Sequence, residues 1–153
     1  MDLDEIDCAI LEALQRDGRL SNVVLAERVN LSESACLRRV KRLESSGAID
    51  RYVMLVDPAA VGKAGNVFVQ FTLDRQKQED LLEFEEAVRA VPEVMECYLM
   101  TGAYDYIVRV VVEDTADYER LHNDYLTRLP GVVRVQSSFA LRTVTKKTDI
   151  PFG

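Results

Sequence analysis

Arg38, Arg39, Lys41 and Arg42 crowd four cations into five residues of a chain whose formal net charge is -7. Side chains of this kind hold phosphate oxygens, and the planar guanidinium fork also matches the acceptor edge of guanine. The cluster closes the stretch LSNVVLAERVNLSESACLRRVKRLESSG, residues 20–47, in which two short helical patterns are joined by a tight turn. A second chemical pattern lies at Thr101, Gly102, Ala103, Tyr104 and Asp105. Glycine there lets backbone amides approach a ligand, and the carboxylate can hold an ammonium group. An amino acid presents both charges, so a site for one must offer donors and an acceptor together.

The residue types that run catalysis do not converge. His122 is the single histidine, with no serine or cysteine beside it in a nucleophile motif, and Cys36 falls on the inward side of its helical pattern. Glu85, Glu86 and Glu96 read as a solvated face, and there is no glycine-rich phosphate loop or metal-ligand spacing. The expectation is a protein that is not an enzyme and carries no cofactor or metal.

Composition sets the frame around these patterns. The chain has 153 residues, 48% of them hydrophobic, enough for one ordinary domain or two small ones with a real core. No apolar run approaches the length of a membrane span, and the acidic N-terminus is unlike a signal peptide, so a soluble, cytoplasmic protein without a membrane partner is expected. Cys8, Cys36 and Cys97 are far apart among apolar neighbours and read as buried, reduced thiols. Residues 1–63 carry eleven acidic and nine basic side chains, and residues 64–153 carry fifteen and ten. Neither half is a general polyanion binder. Binding to DNA must be local, through one helix, and must use two copies.

The elements that would position the cations are helical. Asp4 can cap a first helix whose Ile6, Ile10, Ala13 and Leu14 share a face, with Gly18 as its stop. A second pattern runs from Ser21 or Asn22 to Val29, with Val24, Leu25 and Val29 inward, and Asn30 tolerates the left-handed turn that follows. Ser32 caps a third helix, 32–46, in which Cys36, Val40 and Leu43 face inward and Ser34, Arg38, Lys41, Arg42 and Ser45 face out; Gly47 ends it. Early residues of such a helix reach base edges while flanking cations hold the backbone. Ser34, Ala35 and Arg38 are therefore set toward the bases, Arg39, Lys41 and Arg42 toward phosphates, Asn22 toward a phosphate from the preceding helix, and the capping Ser32 is a further DNA-contact residue.

Downstream, residues 51–56 read as a strand and 57–65 as a linker. Strands at 67–73, 94–100, 105–112 and 132–144 then alternate with helices at 79–90 and 117–129. In the first of these helices Leu81, Leu82, Phe84 and Val88 are the apolar positions. The order β-α-β-β-α-β is the ferredoxin-like arrangement, and a sheet with helices on one face leaves the other for self-association. The fold class is α+β. The division is 1–50 as a helix-turn-helix, winged-helix-like domain, 51–65 as a β-strand linker, and 66–153 as a ferredoxin-like domain.

The assembled motifs resemble the Lrp/AsnC (leucine-responsive, feast/famine) family of transcriptional regulators over nearly the whole chain. They are Leu3-Asp4 with Ile6-Asp7, Asp17-Gly18-Arg19, Ser21-Asn22, Leu31-Ser32, Cys36-Leu37-Arg38-Arg39-Val40 with Lys41-Arg42-Leu43-Glu44, Gly47 with Ile49, Thr101-Gly102 before Tyr104-Asp105-Tyr106, and Leu129-Pro130-Gly131-Val132. The resemblance implies a regulator that binds a pseudo-palindromic operator in double-stranded DNA. It also implies a β-linker that pairs with its dimer mate, homodimers that assemble to octamers, and a small amino-acid effector bound where dimers meet. It places that effector at the 101–105 hairpin and adds Tyr98, Met100, Thr115, Ser138 and Phe139, in part from a neighbouring subunit. The rival reading is an amino-acid-binding regulatory subunit that acts on a metabolic enzyme, which would have no use for the 38–42 cations.

Overall fold

Residues 2–152 are described by the computed structural model. The chain divides into two compact units, one formed by the residues up to Leu55 with the segment from Val144 onward, the other by Val56–Thr143. The sequence reading runs the second domain to the C-terminus; the structure instead groups the last segment with the first unit.

In the first unit Asp4 caps α1 (Glu5–Arg16) through a reciprocal capping box with Asp7. Ser21 caps α2 (Asn22–Arg28) and Ser32 caps α3 (Glu33–Ser45). Asn30 adopts φ 54° at the turn between α2 and α3, the left-handed conformation expected of it. Ile10, Leu11, Leu25, Ala26, Cys36 and Leu43 form the core. Each large aliphatic side chain buried there contributes about 1.5–3 kcal/mol. Val24, expected inward, is exposed because a helix as short as α2 buries only Leu25 and Ala26. The C-terminal segment is tied down at Gln15, whose side-chain nitrogen donates to the Ile150 carbonyl (3.0 Å) and whose oxygen accepts from the Ile150 N–H (2.7 Å). Phe152 packs against the same core.

The second unit is a four-stranded antiparallel sheet in the order β2-β3-β1-β4, built from β1 (Gly65–Leu73), β2 (Val94–Leu99), β3 (Tyr106–Val112) and β4 (Val132–Phe139). With α4 (Gln78–Arg89) and α5 (Thr115–Asp124) it makes the ferredoxin-like order. Val67, Val69, Phe71 and Leu73 alternate inward on β1, as do Tyr106, Val108, Val110 and Val112 on β3. Phe84 of α4 stacks on Tyr106 (4.4 Å between centroids) and meets Phe71 edge-on (5.4 Å). Leu82, read as a core position, is half exposed on the outer side of α4.

Two expected strands are corrected. Residues 51–56 belong to no sheet, and Tyr52, Val53, Met54, Leu55 and Val56 are all exposed. They have strand-forming side chains but no partner within the chain, so among the described residues the first unit has no strand and no wing. β4 ends at Phe139 and not at 144, because its partner β1 runs out: Phe139 pairs with Val67, and a last bond runs from the Ala140 N–H to the Asn66 carbonyl. The linker at 57–65 contains a 3-10 turn, Pro58–Val61, capped by Asp57.

In the first turn of α5, the Asp117 carboxylate accepts from the Glu113 N–H (3.0 Å) and pairs with Arg120 (2.8 Å) and Lys63 (3.3 Å). These hold its pKa down to about 2. A carboxyl whose folded pKa is depressed adds stability that is fully present above its unfolded value near pH 4 and is lost as the pH falls toward 2. Asp117→Asn should therefore destabilise the protein at neutral pH, and the gap from wild type should close between about pH 4 and pH 2. Urea unfolding across that range checks it.

Candidate functional site

The third helix starts where Ser32 accepts the Ala35 N–H (3.3 Å) and lies against the Ser34 hydroxyl (3.3 Å). Ser32 is thus engaged as a cap while remaining exposed at the helix start. Ser34, Arg38 and Lys41 are exposed, and Ala35 is half-buried beside them. Among the described residues Arg38 and Lys41 make no side-chain hydrogen bond or ion pair, so both heads are open to an external partner.

Arg39 and Arg42, read from the sequence as phosphate contacts, are differently placed: each already has an acidic partner within the unit. Arg39 Nη1 contacts Asp4 Oδ2 (2.7 Å) and Asp7 Oδ1 (2.9 Å), and Arg42 Nη2 pairs with Asp7 Oδ2. Asp7 is buried, at 1% exposure, and a carboxylate out of water must be paired. The Arg39 guanidinium holds the Asp4 carboxyl below its ordinary value, and Asp4 and Asp7 together raise Arg39. Asn22 is also committed within the unit. Its Nδ2 donates to the Glu33 carbonyl (2.8 Å), tying the start of α2 to the start of α3.

Sequence reasoning missed Asp4 and Asp7 as partners of the cations. The signal was present: two acids three residues apart at one helix start, and two arginines three residues apart on another helix, a spacing that puts each pair on one face. The three cysteines are free; Cys36 is buried and Cys8 and Cys97 only partly so, which corrects their reading as buried. Burial raises the Cys36 thiol, and burial with the nearby Glu85 pushes Cys97 up to about 11.

In the second unit, residues 100–105 make the β2–β3 turn, closed by the Met100 N–H to the Asp105 carbonyl (2.8 Å). Gly102 has φ 113°, and a Cβ there would meet no atom within 4 Å, so the turn needs glycine for its torsion and the space above it is open. Asp105 is already at work: its Oδ2 accepts the Leu73 N–H (2.7 Å) and a weaker bond from Gln76 (3.4 Å). Oδ1 takes no hydrogen bond from the described residues. Ala103 and Tyr104 border a small cavity of about 70 Å³ with Gln70, Thr72, Arg134 and Gln136.

The remaining effector candidates do not gather here. Tyr98 lies on β2 opposite Ile107, close to the turn, with Met100 leading into it. Phe139 and Ser138 pair with Val67 and Phe68 at the other end of β1, whereas Tyr106, beside the turn, pairs with Phe71. From Phe71 to Val67 the strand climbs about 13 Å. Thr115 starts α5, beyond the far end of β3. One copy of the chain therefore presents the set as two separate groups.

A capped three-helix unit with an outward pair of cations, joined to an antiparallel sheet with an open turn, defines a DNA-binding protein with an attached sensor-type domain. The AsnC-type helix-turn-helix domain matches residues 3–44, and the Lrp/AsnC ligand binding domain matches residues 66–150. The Bkd operon transcriptional regulator of Pseudomonas aeruginosa is 43% identical over 150 residues, covering 98% of each chain. The leucine-responsive regulatory protein of Escherichia coli is 44% identical over 131 residues, 86% of this chain and 80% of its own length. A Neisseria meningitidis transcriptional regulator, solved as a complex with L-methionine, superposes with a TM-score of 0.93 at 37% identity and covers 98% of this chain and 97% of its own. The chain belongs to the Lrp/AsnC family of DNA-binding transcriptional regulators. The helix-turn-helix match favours DNA over a metabolic enzyme as its target. No helix among the described residues is long and apolar enough to cross a membrane.

Because Gly102 is required by torsion and not by packing, Gly102→Ala should lower the stability of the protein by about 1–3 kcal/mol although its methyl group meets open space. A shift of the urea midpoint at unchanged m-value is the measurement.

Proposed function

We propose that α3 enters the major groove with Ser34, Ala35 and Arg38 toward base edges and Lys41 on a phosphate, and that an amino acid bound at the 101–105 turn controls this binding. The observation that carries the reading is that Arg38 and Lys41 are the cations of α3 left without an internal partner. Two such helices are needed, since few phosphate contacts per copy give weak binding at cellular salt. A homodimer reading two half-sites about 34–36 Å apart meets that need and calls for a pseudo-palindromic operator. The exposed, unpaired segment 52–56 supports dimerisation by strand pairing with a second copy, which would remove both its bare backbone and its apolar side chains from water. Assembly to octamers follows the family, as does a cytoplasmic location.

The effector reading rests on the open space above Gly102 and the unbonded oxygen of Asp105. A second subunit bringing Ser138, Phe139 or Thr115 would complete the pocket. The L-methionine bound by the Neisseria relative supports an amino acid as the ligand class. Differential affinity for two assembly states is then enough to shift the spacing of the reading helices.

Arg38→Ala should cost about 1–3 kcal/mol at one operator position and relax its base preference, while Lys41→Ala should weaken all sequences alike and flatten the salt slope by about one. Gel-shift titrations on operator and scrambled DNA check both. For the effector, Asp105→Asn keeps an acceptor for the Leu73 N–H and removes only the charge. It should leave folding and DNA binding intact and abolish thermal stabilisation across a panel of amino acids; a retained shift would refute the role of the carboxylate.

A further inference from the structure

Two of the four cations that mark α3 are already engaged inside the unit, although Arg39 remains 26% and Arg42 50% exposed, and the buried partner they share cannot be exchanged. Asp4 is 52% exposed, and a phosphate oxygen could replace it beside Arg39. Asp7 is 1% exposed, with one oxygen on Arg39 and the other on Arg42. If either arginine swung out to DNA, that buried carboxylate would lose a partner in a place water does not reach. The quartet Asp4, Asp7, Arg39 and Arg42 sums to no net charge, so it adds nothing to long-range attraction for the duplex. Its geometry fixes α3 on two counts: Arg39 and Arg42 are one turn apart on α3, and Asp4 and Asp7 are one turn apart at the start of α1. Charged pairs with defined donors set rotation and register about the helix axis, which the apolar contacts of Cys36 and Leu43 alone set less sharply.

We infer that Asp7 is the positioning residue of the DNA-reading helix: it holds Arg39 and Arg42 against α1, fixes the angle at which α3 is presented, and withdraws both arginines from the DNA backbone. The inference rests on the reading of α3 as the recognition helix. It changes what the basic run means, since half of it is internal structure and the rest faces the duplex.

Salt dependence separates the two kinds of cation, because log K falls with log salt by about 0.9 for each phosphate contact. The full-length protein is titrated with a labelled mixed-sequence duplex over a potassium chloride series, read by fluorescence anisotropy. Lys41→Gln should lower the slope by about 0.9 per protomer, and Arg39→Gln and Arg42→Gln should leave it at the wild-type value. Asp7→Asn keeps the side-chain volume and frees the arginines, so it should steepen the slope while weakening binding to upstream promoter DNA relative to the mixed duplex. Asp7→Glu should bring the slope back toward wild type. A residue that only stabilised the unit would change affinity without changing the slope. Arg39→Gln or Arg42→Gln flattening the slope as Lys41→Gln does would overturn the inference and leave the recognition helix standing. An unchanged slope in Lys41→Gln would instead overturn the recognition helix, and the inference with it. Should Asp7→Asn fail to fold by circular dichroism, the arginine variants decide alone.

Discussion

The buried carboxylate of Asp7 constrains the first unit more than any apolar contact does. A core of small and medium aliphatic side chains tolerates sliding and rotation of short helices, because dispersion and burial are not directional. An ionised group at 1% exposure tolerates neither. Removing one partner from such a pair costs about 3–5 kcal/mol, comparable with the whole stability of a small domain. The helices of the first unit are short, and α2 has only seven residues. Side-chain bonds between elements therefore supply definition that length does not: Arg39 and Arg42 to α1, Asn22 to the start of α3, and Gln15 to the returning C-terminal segment. In each case a polar side chain meets a partner on another element, and rotation about a helix axis would break it.

The second unit follows a different logic. Its sheet is fixed by alternation, with one face of β1 and β3 fully buried under α4 and α5, so a slip of one residue would expose the whole apolar set. The outer face carries Phe68, Gln70, Thr72, Ile107 and Arg109, a mixture in which Arg109 is held by Glu96 (2.7 Å) and Asn66 (3.3 Å). Paired charges on a half-apolar surface suit contact with another protein surface better than full solvation does.

What the sequence disclosed and what it withheld divides along range. Helix caps are local, and Asp4, Ser21, Ser32 and Asn30 all do what their types and positions predict. The β-α-β-β-α-β order was legible for the same reason, since each element carries its own period. The misreadings are cases where the deciding partner lies far along the chain. Residues 51–56 and 140–144 have strand composition, but a strand exists only when a partner does. Arg39 and Arg42 look like unpaired cations until the acids 32 to 35 residues away are brought beside them. Asp105 looks free until the Leu73 N–H, 32 residues distant, is found on it. Composition reports how many charges there are, and only folding reports which have already been neutralised.

That distinction bears on the turn as well as on the helix. With Oδ2 of Asp105 held by Leu73, the carboxylate has a fixed direction, and only Oδ1 remains for an incoming cationic group. A site with one oriented acceptor binds weakly by itself, because a small ligand must recover its lost translational freedom from many contacts. The other candidate contacts lie about 13 Å or more along the sheet within the same chain, too far for one amino acid to span. A ligand that engages both groups must therefore lie between copies of the protein. Its affinity is then tied to assembly by mass action, and assembly is tied in turn to its concentration. On the site proposed above, sensing would be a property of the oligomer, because no single copy brings the candidate residues together.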